Sequence, residues 1–109
     1  MRCDVALRDP KISPAARAYL EGKIARLDRL DHHLESAHAF LSTEREKKKV
    51  ELVVSIERHG TVVVETRHEN VFAAIDLAVD RMERQLAKEK EKRIERGRRV
   101  RKSRPPPER

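Results

Sequence analysis

The fold is decided by the stretch VELVVSIERHGTVVVETRH, which covers residues 50–68. Apolar and polar residues alternate over residues 50–58, and a period of two predicts a half-buried β-strand. A His-Gly pair at 59–60 interrupts the alternation, and β-branched residues resume over residues 61–67. The pattern therefore predicts a tight hairpin of two antiparallel strands.

Two further strands are expected before this hairpin. Residues 37–41 place Ala, Ala and Leu at alternate positions, so that they share one face. Residues 2–8 alternate in the same way, which predicts that Cys3 faces the core of the protein. The charged run EREKKK, residues 44–49, is expected to connect the second and third strands.

Two amphipathic helices complete the pattern. Ser13 followed by a proline is typical of a helix start, and apolar residues then recur at steps of three and four, which predicts a helix over residues 14–31. Asn70 has the residue type of an N-cap for a second helix, which is expected to project beyond the core and to end at Gly97. The predicted apolar seam of the second helix consists of Phe72, Ile75, Val79, Met82 and Leu86.

The order of the elements is β-α-β-β-β-α. Four strands and two amphipathic helices predict a two-layer α+β sandwich, with a four-stranded sheet and both helices on one of its faces. We expect one domain over residues 1–96 and a basic, Pro/Arg-rich disordered tail over residues 97–109. Because one sheet uses up both apolar helix faces, the free protein is expected to be a monomer.

Charge is distributed unevenly along the chain, whose net charge is +7. Residues 1–80 carry 13 Lys or Arg against 14 Asp or Glu, whereas residues 81–109 carry 13 against 5. The whole positive excess therefore lies in the last quarter of the chain. A nearly neutral domain with a basic arm indicates a polyanionic partner, although a solvated tail that aids solubility has the same composition.

The sequence lacks the patterns of an enzyme or a metal protein. Three scattered glycines cannot form a phosphate-binding loop, the five histidines lack the spacing of metal ligands, and Cys3 has no base beside it in the sequence. We therefore expect no catalytic residue, no metal and no cofactor. Neither a signal peptide nor an apolar run long enough for a membrane span is present, so a cytoplasmic location is expected.

A row of cations distinguishes the second helix. Steps of three and four place Arg81, Arg84, Lys88 and Lys92 on one side, where they can match a phosphate backbone. Interspersed glutamates leave open the alternative of a solvated, salt-bridged helix, and a basic helix could also dock on a membrane surface or a protein. Because few aromatic residues are available for stacking, recognition of structured RNA by shape and phosphate contacts is favoured over readout of single strands.

Two segments resemble a known family. The stretch NVFAAIDLAVDRMERQLAKEKEK, residues 70–92, resembles the last-helix signature of the ribosome hibernation-promoting factor and ribosome-associated inhibitor family. The stretch ISPAARAYLEGKIARLDRL, residues 12–30, resembles its first-helix signature. The β-α-β-β-β-α order is that of the family, whose fold is similar to a double-stranded-RNA-binding domain. The short hibernation-promoting type is the nearest match.

The resemblance implies a ribosome hibernation factor that binds the small ribosomal subunit and its rRNA in the mRNA/tRNA channel, blocks translation and stabilises idle ribosomes. It also implies a separate partner wherever ribosome dimers form. A ribosome-assembly or general structured-RNA-binding module is the alternative within nucleic-acid binding. The RNA-binding residues that the resemblance implies, all basic and all on the two helices, are Arg17, Lys23, Arg26, Arg81, Arg84, Lys88, Lys90 and Lys92.

Overall fold

A computed structural model describes the backbone of residues 1–103 and the side chains of residues 1–96. The elements follow the order that the sequence predicts. They are β1 (Arg2–Leu7), α1 (Pro14–Leu27), β2 (Leu34–Glu44), β3 (Lys47–Ile56), β4 (Gly60–His68) and α2 (Val71–Ser103).

The four strands form one sheet in the order β1-β2-β3-β4. β1 pairs with β2 in parallel, which α1 makes possible as the crossover connection, and the other two pairs are antiparallel. One row across the sheet joins Val5, Ala39, Leu52 and Val64, all of them buried. Both helices contribute to the same core, so the predicted two-layer α+β fold is confirmed.

The two helices divide the covered face of the sheet. α1 packs against β1, α2 packs across β3 and β4, and the helices touch each other. Small buried residues such as Ala74 and Ala78 allow α2 to approach the sheet closely. The larger side chains of Met82 and Leu86 are also buried and fill the space between α2 and the rest of the core. The sequence thus places an aliphatic core beneath α2 and leaves the opposite side of that helix to solvent.

Both predicted N-caps are confirmed. The Ser13 side chain accepts a hydrogen bond from the backbone N–H of Ala16 at 3.3 Å, and the Asn70 side chain accepts one from Phe72 at 2.8 Å. Each cap satisfies a backbone donor that the first turn of a helix leaves without a partner. The hairpin at Gly60 is also confirmed, because Ile56 pairs with Gly60 across the turn.

The first helix is shorter than the sequence predicts. α1 ends at Leu27, the next residues form turns, and Leu34 begins β2. Leu30 is not part of an apolar helix stripe and is exposed. The reason is tertiary, since Asp31 is buried against α2 and its side chain accepts a hydrogen bond from the backbone N–H of His33, which draws the chain out of the helix.

The charged run at residues 44–49 is not a loop throughout. Lys47–Lys49 belong to β3 and pair with the end of β2, so only Arg45 and Glu46 form the turn. Both have positive φ, 49° and 65°, which a two-residue turn between twisted strands requires. Non-glycine residues rarely adopt this conformation, so a charged Arg-Glu pair does not predict a two-residue turn from the sequence.

Two predicted core residues lie at the surface. Cys3 is exposed, because β1 is an edge strand on which only Val5 is buried. Phe72 is 39% exposed, because the first turn of α2 lies beside α1 and its ring packs edge to face against Tyr19. The other four residues of the predicted seam are buried.

The second helix does not end at Gly97, because α2 continues to Ser103. Glycine weakens a helix interior by only about 1 kcal/mol relative to alanine, and strong helix formers flank it here. Residues 104–109 and the side chains of residues 97–103 lie outside the described part of the chain. The division into a domain of residues 1–96 and a disordered tail of residues 97–109 therefore stays a prediction.

Candidate nucleic-acid interface

The four cations that the sequence places in one row remain together on α2. We call Arg81, Arg84, Lys88 and Lys92 the α2 row; all four are exposed. Three of them, together with Gln85, form one wall of an open groove of about 320 Å³ between α2 and the edge strand β4. The opposite wall is formed by Val63, Val64 and Glu65. Because the row lies away from the buried side of α2, the core does not constrain its side chains.

Ion pairs within the row are weak and exposed. Arg84 pairs with Asp80 at 3.0 Å and Lys92 with Glu89 at 3.6 Å, and Arg81 donates a long hydrogen bond of 3.4 Å to the carbonyl oxygen of Glu65. Exposed pairs of this kind contribute roughly 0–1 kcal/mol each. A phosphate can therefore replace the acidic partners at little cost. The row combines a helical backbone, which fixes the spacing, with cations that remain available.

Lys23 occupies a second basic position, between the helices. Its ammonium group lies 3.6 Å from Asp76 and 5.3 Å from the centre of the Tyr19 ring, and the Tyr19 hydroxyl donates a 2.6 Å hydrogen bond to Asp76. Together with Phe72, these groups form a small aromatic and charged cluster on the helical side of the domain. The sequence does not reveal this cluster, because its members come from two helices.

The other predicted residues divide between three places. Arg26 is exposed one turn after Lys23 and shares its side of α1. Lys90 lies on the opposite flank of α2 from the row, where its ammonium group donates a 3.2 Å hydrogen bond to the carbonyl oxygen of Leu30. Arg17 pairs with Glu21 at 3.4 Å along α1. The structure therefore assembles the α2 row as one surface and distributes the remaining four cations around the helices.

Arg93 has a structural role that the sequence pattern obscures. Its position four residues after Glu89 suggests an exposed ion pair, but its guanidinium group instead binds the buried carboxylate of Asp31, and Nε donates to the Glu89 carbonyl oxygen at 3.3 Å. Burial alone would raise the pKa of Asp31. The hydrogen bonds from Arg93 and the His33 backbone, with the positive charge of Arg93, outweigh burial and lower that pKa below its ordinary value.

The sulfur of Cys3 is not activated. Partial burial, followed by the negative charges of Glu21 and Asp4, raises the pKa of the thiol, which therefore favours its protonated form. Within residues 1–96, no three side chains of His, Cys, Asp or Glu come close enough to hold a metal ion. Neither helix, as far as the structure describes it, is long and apolar enough to cross a lipid bilayer.

Comparison with known proteins identifies the family. Residues 4–94 match the family described as Sigma 54 modulation protein / S30EA ribosomal protein. This chain belongs to that family. It is 36% identical over 96 residues to the ribosome hibernation promoting factor of Azotobacter vinelandii, a match that covers 88% of this chain and 89% of the relative. The protein of the same name from Pseudomonas putida is 30% identical, with 84% and 89% coverage.

Two solved structures share the fold of this chain. The N-terminal domain of Protein Y from Thermus thermophilus is 39% identical and superposes with a TM-score of 0.67, covering 78% of this chain and 94% of that domain. A ribosomal subunit interface protein from Coxiella burnetii, 24% identical, reaches a TM-score of 0.74 with 83% and 98% coverage, and supports the fold alone. The family match over residues 4–94 includes both helix segments, so their resemblance to the family is confirmed.

Proposed function

We propose that this protein is a ribosome hibernation factor that binds the small ribosomal subunit through its rRNA in the mRNA/tRNA channel. There it blocks translation and stabilises idle ribosomes. The observation that carries the proposal is the α2 row, a set of four exposed cations on a rigid helix in a chain whose relatives are named ribosome hibernation promoting factors. Binding alone performs this function, so no catalytic residue is required.

The physical basis is a match between helix spacing and phosphate spacing. Residues three and four apart on a helix lie about 5–6 Å from one another, which is close to the separation of successive phosphates along an RNA strand. Two arginines supply planar guanidinium groups that can bind phosphate bidentately, and the two lysines add compact charges. The β4 side of the groove has exposed Val63, which can pack against a ribose without competing for the phosphate.

The remaining predicted residues extend the interface around the helical side of the domain. Lys23 and Arg26 face the same side as the cluster of Tyr19 and Asp76, so they can contact a second strand of a folded RNA. Lys90 and Arg17 lie farther from the row and add to the overall positive field. We expect the row to dominate affinity and these four cations to adjust orientation.

The proposed partners are the small subunit and its rRNA, with a separate dimerising factor wherever ribosomes pair. The location is the cytoplasm, with the ribosomes. The alternative, a module that assists ribosome assembly or binds structured RNA in general, makes a different prediction. Such a protein would sediment with immature particles or with RNA of many kinds, whereas a hibernation factor sediments with mature small subunits or whole ribosomes.

The decisive experiment replaces the α2 row by glutamine. Arg81, Arg84, Lys88 and Lys92→Gln keeps helix propensity, and each surface change should alter stability by less than about 0.5 kcal/mol. We expect an unchanged melting temperature together with loss of ribosome binding and of inhibition in a cell-free translation reaction. Each phosphate contact that is lost should reduce the log–log salt slope of binding by a little under ~1.

A control variant removes the same number of charges elsewhere. Arg2, Lys11, Arg45 and Lys47→Gln lowers the net charge equally, but these cations are exposed away from the helical groove. It should bind ribosomes nearly as well as the unmodified protein. If the row variant folds normally and still stops translation with full potency, the row is a solvated face and the proposed interface is wrong.

A further inference from the structure

A second basic site lies where α2 leaves the core. The connection between α1 and β2, the turn between β3 and β4, and α2 itself meet around an open cavity of about 250 Å³. We call this cavity the junction cavity. Its lining consists of His33, His59, Lys90, Arg93 and Ile94. Four of the five side chains are basic, and they come from three elements that are distant in the sequence.

The two α2 cations of the junction cavity are held in place by contacts within the protein. Arg93 is fixed by the Asp31 carboxylate and by the Glu89 carbonyl oxygen, and Lys90 by the carbonyl oxygen of Leu30. Lysine has three N–H donors, so Lys90 retains donors for a ligand after this contact. A site with anchored cations loses little side-chain entropy on binding, which distinguishes it from a cluster of freely moving surface lysines.

The charge balance of the cavity is positive. Asp31 does not line the cavity, and both Arg93 and the His33 backbone N–H already bind its carboxylate. Glu89 faces Lys92 on the neighbouring side of α2, and Glu57 and Arg58 in the β3–β4 turn are exposed and offset each other. Among the described residues Lys90 forms no ion pair with a carboxylate, and its ammonium group contacts only the Leu30 carbonyl oxygen. The imidazoles of His33 and His59 add N–H donors to the cavity.

We propose that the junction cavity binds a phosphate group. A tetrahedral anion can accept hydrogen bonds from donors that converge from several sides, and here His33, His59 and Lys90 converge from three elements. Ile94 is the one apolar lining residue and leaves space for the carbon atoms of a phosphate ester. The site lies on the flank of α2 opposite the row, so its occupancy does not depend on the four cations of the row, although Lys90 also belongs to the wider proposed ribosome-binding surface.

Two sources supply this chemistry: the phosphodiester backbone of RNA, and a free phosphate or phosphate monoester. Dimethyl phosphate imitates the first and inorganic phosphate the second. The test titrates the complete chain with each probe and follows the backbone amide signals of residues 31–34 and 57–60 by NMR. We expect saturable shifts in both segments, and weakening of about tenfold or more in His33→Ala/His59→Ala, which removes two side-chain donors to a charged acceptor.

Two controls make the titration specific. His32→Ala removes the neighbouring imidazole, which does not line the cavity, and should bind phosphate like the unmodified protein. The α2 row variant should also retain phosphate binding at the cavity, so failure of the proposed function leaves this result unchanged. The proposal is overturned if the double histidine variant binds as tightly as the unmodified protein, or if shifts spread over all basic surfaces without saturating.

Ribosome binding by the double histidine variant then distinguishes the two sources of the phosphate group. If an RNA phosphate occupies the cavity, the double histidine variant should bind ribosomes more weakly, with a log–log salt slope lower by about 0.9 for one contact. If ribosome binding stays unchanged while inorganic phosphate binding is lost, the ligand is a free phosphate group. Either result supports a phosphate site, because both require the loss of saturable binding in the variant.

Discussion

Two arginine residues of α2 form ion pairs with aspartates, and the two pairs differ in burial and therefore in their expected role. Arg84 pairs with Asp80 at the surface, where the side chains are 74% and 53% exposed. Arg93 pairs with Asp31 where the helix leaves the core, and there the exposed fractions are 12% and 2%. The exposed pair can exchange its carboxylate for a phosphate. The buried pair cannot, and it holds the connection after α1 against α2.

The difference also separates two regions of the helix. Up to Leu86, α2 is held by apolar packing on the sheet, and the α2 row lies on its outer side. Beyond Leu86 the apolar seam stops, and contacts from Lys90 and Arg93 to residues 30 and 31 take over. The four cations of the α2 row stay exposed on both sides of this point and are available for a partner, whereas Lys90 and Arg93 are partly committed to the fold.

The largest expected loss of stability comes from breaking the pair of Arg93 and Asp31. Asp31→Ala leaves the Arg93 guanidinium group without its carboxylate in a largely buried position, and breaking such pairs typically costs about 3–5 kcal/mol. The free energy of unfolding, measured with urea at neutral pH, should fall by roughly this amount. Leu30 and its neighbours should also lose protection in hydrogen exchange, because the connection after α1 is no longer anchored.

The matched control is Asp80→Ala, which removes the partner of Arg84 on the surface. Its effect on the free energy of unfolding should stay within about 0.5 kcal/mol. If the two alanine variants lose equal stability, burial does not distinguish the pairs and the comparison fails.

An effect of intermediate size is expected in the pH dependence of the free energy of unfolding. The pKa of Asp31 is lowered in the folded protein, so the ionised carboxylate stabilises the fold. This contribution to stability is fully present above the unfolded-state pKa, about 3.9, and is lost as pH falls through the lower folded-state pKa. Asp31→Asn removes this contribution. The stability difference between the unmodified protein and the variant should therefore narrow as pH falls from about 5 toward 2.

Asp80→Asn serves as the comparison for this pH series, because it makes the same substitution in the exposed pair. A pH-dependent loss should remain in all three proteins, because the hydrogen bond from Thr43 and the backbone N–H of Lys11 lower the pKa of Asp9 as well. A constant difference between the unmodified protein and Asp31→Asn would contradict the assignment of Asp31.

The smallest effect on the fold should come from removing residues 97–109. The cut lies beyond Arg93, so the buried pair and every buried residue of the core remain. We expect a change in unfolding free energy of less than about 0.5 kcal/mol. Ribosome affinity should nevertheless fall and its salt dependence should flatten, because fewer counterions are released. Cooperative unfolding at a much lower urea concentration would show that this segment supports the domain.

Local signals account for what could be predicted. The hairpin at Gly60, the caps at Ser13 and Asn70, and the alternation of the strands depend on residues within a few positions of one another. The α2 row was predictable for the same reason, since the helical period fixes which side chains share a side. The phosphate-binding role of that row remains a proposal, because its chemistry depends on a partner.

The sequence by itself determined the order of elements, the aliphatic core and a helix with a basic outer side, because each follows from a short-range period. Only the tertiary structure decided where α1 ends, that Cys3 is exposed, and that the Arg93 side chain is largely withdrawn from solvent. The deciding contacts join distant residues: Arg93 to Asp31 across 62 positions and Lys90 to Leu30 across 60. A charged side chain looks the same in the sequence whether solvent or a buried carboxylate surrounds it, and packing alone makes that choice.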